Sequence, residues 1–209
     1  MLRRTDRSDL HLKGIATINA DNPAVLSPAL LSVSGDILLK LGMLDQAESM
    51  FKRLSERYRD GMFADAGPVG MGYVALARKD PATALRIFED ALVNNPGTSR
   101  FKETTIGKLE ALVDLGKLDE AEQLALATAG DRSFRGESVG KALVLMGRIY
   151  REQAKKASGE DKTELLTKAY GTYNRVFTAY KSTPEVSAEA GWQAYETLLE
   201  MDNTELAEE

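Results

Sequence analysis

The residue types that most often carry chemistry are thinly spread in this chain. There is no cysteine, which excludes disulfides, thiolate nucleophiles and cysteine-ligated zinc. His11 is the single histidine. A triad or a histidine-based metal site needs acids or further ligands around it, whereas His11 lies near one end in a polar stretch and reads as solvated. Carboxylates are plentiful, and two pairs stand at i,i+4 spacing, Glu110 with Asp114 and Glu185 with Glu189. Such pairs can hold an oxygen-liganded ion or share a proton, but the same spacing describes a solvated helix face. Gly67-Pro68-Val69-Gly70-Met71-Gly72 is glycine-rich, yet no strand precedes it and no lysine follows at phosphate-loop spacing. Its glycines read instead as a helix start that packs closely. The expectation is a chain with no catalytic residue, no metal ligand and no cofactor, and therefore not an enzyme by itself. Carboxylate or lysine chemistry is the one catalytic route left open.

Composition narrows the partners. A net charge of −5 disfavours nucleic acid, which calls for a concentrated basic face; the only basic cluster is Arg3-Arg4 with Arg7, at the terminus. No apolar run approaches the length of a membrane span. Apolar content of 43% and charged content of 28% suit a protein with a buried seam and a watery surface. The compartment stays open between the cytoplasm and a bacterial periplasmic or envelope-associated setting, because a cysteine-free chain fits both.

The elements that position these residues follow a fixed period. Ala47, Ala84 and Ala121 recur every 37 residues, with Gly42, Lys79 and Gly116 five positions before them. Phe51 and Phe88 stand four residues after the first two alanines. A period in this range marks stacked helix pairs, which present surface more often than chemistry. Apolar residues at 3,4 spacing, such as Leu30, Leu31, Val33, Ile37, Leu38 and Leu41, predict helices. Gly42 stops the first of them, and Pro81 opens a later one at the first helical position, where a missing N–H is harmless. The predicted pairs span about 28–60, 65–97, 100–130 and 136–181. The fourth is longer by about ten residues, or roughly one and a half turns on each helix, and places a turn at Ala157-Ser158-Gly159-Glu160. A half repeat follows at 184–209. Residues 1–26 read as the last helix of a preceding repeat, and 195–207 aligns without gaps on 109–121. The chain is therefore expected to be a piece of a longer protein. Its open last seam, with Leu198, Met201 and Leu206, would favour self-association.

Gly72, Ala84, Phe88, Ala91 and Pro96 fall at the spacing of the tetratricopeptide-repeat family, which the chain resembles over about residues 28–201. The first pair carries Gly35, Gly42, Ala47 and Phe51. The third keeps Gly116 and Ala121 but has Ala125 in the aromatic slot, and the fourth keeps Gly147 and Tyr150. No pair has the family's first tryptophan, and the period here exceeds the family's about 34 residues. The resemblance implies an all-α fold, a right-handed α-solenoid of stacked antiparallel helix pairs. It also implies a partner surface on the concave face lined by the first helix of each pair. The candidate contact residues there are Asp36, Lys40, Tyr73, Leu76, Glu110, Arg148, Arg151 and Trp192. Tyr, Trp and Arg are the usual hot-spot types, and the arginines and aromatics predict a protein or peptide partner with acidic and apolar residues in the groove between the second pair and the last helix. Two bland alternatives stand beside this: Trp192 packed as a core side chain, and Tyr73 half-buried against Ile106. The phrase from Phe177 to Tyr180, then Pro184 to Ala190, is similar to the bacterial cell-envelope branch of the family. The implied function is an interaction scaffold, with a regulatory or targeting domain of a larger enzyme, or a helical ligand or lipid binder, as alternatives.

Overall fold

The computed structural model describes residues 26–94 and 97–201, together with Gly14. The expected helix before residue 26, His11, the Asn95-Pro96 close of the second pair and Leu206 lie outside the described residues. Among those residues the chain is all-α, with nine helices and no strand: α1 (Pro28–Lys40), α2 (Leu44–Arg57), α3 (Ala66–Ala77), α4 (Pro81–Asn94), α5 (Phe101–Asp114), α6 (Leu118–Gly130), α7 (Glu137–Ala154), α8 (Gly159–Ala179) and α9 (Pro184–Glu200). The long fourth pair is α7 and α8. The turn expected at 157–160 is shorter than predicted, because Gly159 at φ +59° starts α8 at once. Successive helices pack on their neighbours. None of the helices among the described residues is long and apolar enough to cross a membrane. The chain divides into two compact units, 1–108 and 109–209, with the boundary inside α5.

The three turn residues of the 37-residue period are one device used three times. Gly42, Lys79 and Gly116 all take left-handed backbone, at φ +72°, +62° and +71°. Each caps the helix before it in the same way. Met43, Asp80 and Lys117 donate backbone N–H to Leu38, Ala75 and Leu112, five residues back, at 2.9–3.0 Å. Gly42, Lys79 and Gly116 donate to Leu39, Leu76 and Val113, at 2.9–3.0 Å. This double bond satisfies carbonyls that a helix end would otherwise strand. Glycine is the natural occupant; Lys79 holds the same geometry with a Cβ in place, at a cost of about 1–2 kcal/mol.

In the first unit the periodic aromatics fill gaps left by glycine. A Cβ added to Gly35 would stand 2.6 Å from the Phe51 ring, and one on Gly72 would stand 2.6 Å from Phe88. Gly70 and Gly107 are closer still to Phe51 and Phe88. Each ring is thus held between a glycine of its own pair and a glycine of the next pair's first helix, with Ala47 and Ala84 fully buried beside them. The core also includes Leu31, Leu38, Met50 and Leu54.

The second unit solves the same problem with exchanged volumes. At the position equivalent to the aromatic stands Ala125, and the two glycine positions are Leu109 and Val144; all three are buried. The long pair returns to the first solution, since a Cβ on Gly147 would meet the Tyr173 ring at 2.5 Å. Tyr173, Val176, Val186, Ala190 and Ala194 complete the core around it. Small residues on α9 let it lie close, as Gly191 shows: a Cβ there would reach Phe177 at 2.9 Å.

Candidate functional site

The first helices α1, α3, α5, α7 and α9 carry every predicted contact residue. In the first unit Arg100, just before α5, holds one of them, Asp36. Its Nη2 donates to Ser32 Oγ at 2.7 Å and to Asp36 at 3.3 Å, and Nη1 donates to both Glu103 oxygens at 3.0 and 3.1 Å. The guanidinium fork fits this arrangement because its donors lie in one plane. Arg100 therefore ties α1 to α5, and its side chain is only 17% exposed. Burial raises the Asp36 carboxyl above its usual range, with Arg100 and then Lys40 pulling the other way. Lys40 is exposed at the end of α1.

Tyr73, on α3, turns its ring edge to Phe88 at a centroid distance of 5.1 Å and donates its hydroxyl to the Glu103 carbonyl at 2.7 Å. It is half-buried, as the bland alternative had it, but its ring partner is Phe88. Leu76 is 6% exposed, so it offers a partner almost no surface. The glycine-rich stretch lies within α3, and close packing against Ser55, Phe51 and Phe88 accounts for Gly67, Gly70 and Gly72.

The second unit has a larger polar face. Arg148 on α7 donates to Asp114 at 2.7 Å. Arg151, one turn on, bonds Gln193 and Glu200 and lies 3.5 Å from Glu196, all on α9. Its side chain is 14% exposed. Burial opposes its charge, and Glu200 and Glu196 outweigh that, so its proton is held more firmly than usual. Glu110 sits among like charges. Burial first, then Asp114 and Glu189, raise its carboxyl above the usual range, while Arg148 and Lys141 oppose. The buried Tyr173 hydroxyl adjoins Arg151, yet neither it nor Arg151 Nε makes a well-formed hydrogen bond. Burial pushes the Tyr173 phenol far up. The pairs Glu110–Asp114 and Glu185–Glu189 do not converge with histidine or further acids into a metal-holding group among the described residues.

Two sequence expectations meet structural facts that bear on them. The sequence marks Arg148 and Arg151 as anchors for an acidic partner, but intramolecular carboxylates already occupy both. On this face Glu110, Asp114, Glu189, Glu196 and Glu200 stand against Arg148, Arg151 and Lys141, five acids to three bases, so its residual charge is negative. Leu198, expected on an open seam, is 4% exposed and already in the core.

Trp192 is not a core side chain. It is 59% exposed and lies against Tyr195, with ring centroids 5.6 Å apart. Arg100, Tyr195 and Leu199 were missed by sequence reasoning. Tyr195 and Leu199 were findable, since both share a helix face with Trp192 at i+3 and i+7. Of Arg100's partners only Glu103, at i+3, is local; Asp36 and Ser32 lie 64 and 68 residues away. No family model, no curated protein and no solved structure matches this chain.

Proposed function

We propose that the chain is a protein-interaction module built of tetratricopeptide-like helix pairs in a right-handed solenoid, with no catalysis of its own, whose first helices receive a segment of a partner protein. The observation that carries this reading is Trp192. Its helix already buries Val186, Ala190, Ala194 and Leu198, so the core side is filled without it. The indole stays 59% exposed beside Tyr195, at a first-helix position where family members meet their partners. Large aromatics left in water on a folded surface mark contact sites.

The regular capping and glycine–aromatic packing support the reading from another side. They brace each unit from within, and Arg100 in the first unit and Arg151 in the second hold side chains of the first helices in place. A stiff surface loses little entropy when a partner lands. The likeness of 177–190 to the bacterial cell-envelope branch supports an envelope-assembly setting as part of the same proposal.

Photo-crosslinking side chains placed singly at Val33 on α1 and Trp192 on α9, and at Val93 on α4 and Leu126 on α6, test this. All four positions are exposed. Capture of one discrete protein from the two first-helix positions, and not from the other two, is expected. Capture only from Val93 and Leu126 would overturn the assignment.

A further inference from the structure

The outer arc of α9 is divided by chemistry. At about 100° per residue, Tyr195, Leu199 and Trp192 fall within about 60° of arc. They are 39%, 42% and 59% exposed. Phe177, 47% exposed, extends the apolar patch from α8, since its ring lies against Gly191. The next about 60° holds Glu185, Glu196, Glu189 and Glu200. No lysine or arginine occurs in the helix. Arg151 offsets part of this charge, but Glu196 and Glu200 remain 39% and 37% exposed at their side chains, and the face keeps its acidic excess.

We infer that α9 docks a basic amphipathic segment of a partner protein. Its apolar side chains would cover Trp192, Tyr195 and Leu199, and its lysines or arginines would face the glutamates alongside. This rests on the interaction reading above and specifies the partner's chemistry. An apolar stripe beside a single-sign charged stripe is the complement of a helix with apolar residues at i, i+3, i+4 and i+7 and cations on its flank. The same acidity repels nucleic acid and anionic bilayers, so a cationic polypeptide is the occupant this surface fits. An acidic segment, the expectation from the arginines alone, would meet carboxylates already in place.

Trp192 is the only tryptophan, so its emission reports on this face directly. The probes are an aromatic-free Leu/Lys helical peptide, its Leu/Glu counterpart, and phosphatidylserine vesicles. The Leu/Lys peptide should shift Trp192 emission to the blue in a saturable way, and the other two should not. Leu199→Ala should weaken Leu/Lys binding by about tenfold. Glu189→Lys should weaken it several-fold, and raised salt should do the same. An equal shift with the Leu/Glu peptide or with the vesicles, or unchanged binding by Leu199→Ala, would overturn the inference. A partner captured at Trp192 through a segment without cations would also overturn it while leaving the interaction reading standing. Capture at no first-helix position would remove both.

Discussion

The packing of Phe88 between two glycines makes a prediction whose sign depends on its neighbours. Phe88 is fully buried, so Phe88→Ala alone should cost about 3–5 kcal/mol in lost transfer energy and cavity. Gly72→Leu alone should also destabilise, because its Cβ would stand 2.6 Å from the Phe88 ring. So should Gly107→Val, where the approach is closer. Each overpacks by about 1–3 kcal/mol, offset only in part by the about 0.5–1 kcal/mol that glycine loses in a helix interior. Summed as independent changes, the three would remove roughly 4–9 kcal/mol, comparable with the whole stability of a domain. They are not independent. The combination Gly72→Leu, Phe88→Ala, Gly107→Val reproduces the set Leu109, Ala125 and Val144 that is buried in the second unit. With the ring gone, the new side chains fill its space. The triple variant should therefore lie within about 2–3 kcal/mol of the parent, a coupling of several kcal/mol. Urea unfolding followed by far-ultraviolet circular dichroism on the three single variants and the triple reads this directly. Additive losses would refute the idea that ring and glycines form one packing unit.

Other outcomes follow from the same caps, ion pairs and burial. Lys79→Gly should stabilise by about 1 kcal/mol by removing a Cβ from left-handed backbone, seen as a higher urea midpoint with unchanged slope. Arg100→Ala should cost about 1–2 kcal/mol, since it removes the donor to the buried Ser32 and the cation shared by Asp36 and Glu103; Arg100→Lys should recover less than half, because one ammonium cannot replace the fork. Glu110 has its carboxyl raised above the ordinary 4.5. The folded state therefore binds the proton more tightly than the unfolded state, and stability associated with it is present below that value and lost as pH rises through the folded value. Glu110→Gln should accordingly raise the melting temperature near neutral pH, with the gain shrinking as pH falls toward 4.5; a loss of stability at neutral pH would contradict this. Trp192→Ala should change stability by no more than about 0.5–1 kcal/mol, as for other exposed side chains, in contrast to a core tryptophan.

Much of the frame is legible in the sequence because it is local and periodic. The alanines, the turn residues and the apolar spacing depend on neighbours a few positions away, so the type and spacing of Gly42, Lys79 and Gly116 are enough to locate the helix ends. The exchange of Gly-Phe-Gly for Leu-Ala-Val is also written in the sequence, 37 residues apart at each step, but reading it requires knowing that a ring touches two first helices. The site is less legible. Arginine types mark Arg148 and Arg151 as candidates, yet type says nothing about whether a carboxylate is already in reach. Ion pairing is decided by partners in other helices, such as Glu196 and Glu200 for Arg151, and these set the arginine among carboxylates. Trp192 shows the reverse: spacing leaves it divided between core and surface, and the small residues of α9 decide for the surface.

The central claim is that the first helix of each pair meets the partner. Hydrogen–deuterium exchange of the protein alone and in complex with the partner captured by crosslinking tests it most directly. Added protection should appear in α1, α3, α5, α7 or α9, with α9 included, while α2, α4, α6 and α8 exchange as before. Protection confined to the second helices would contradict the account.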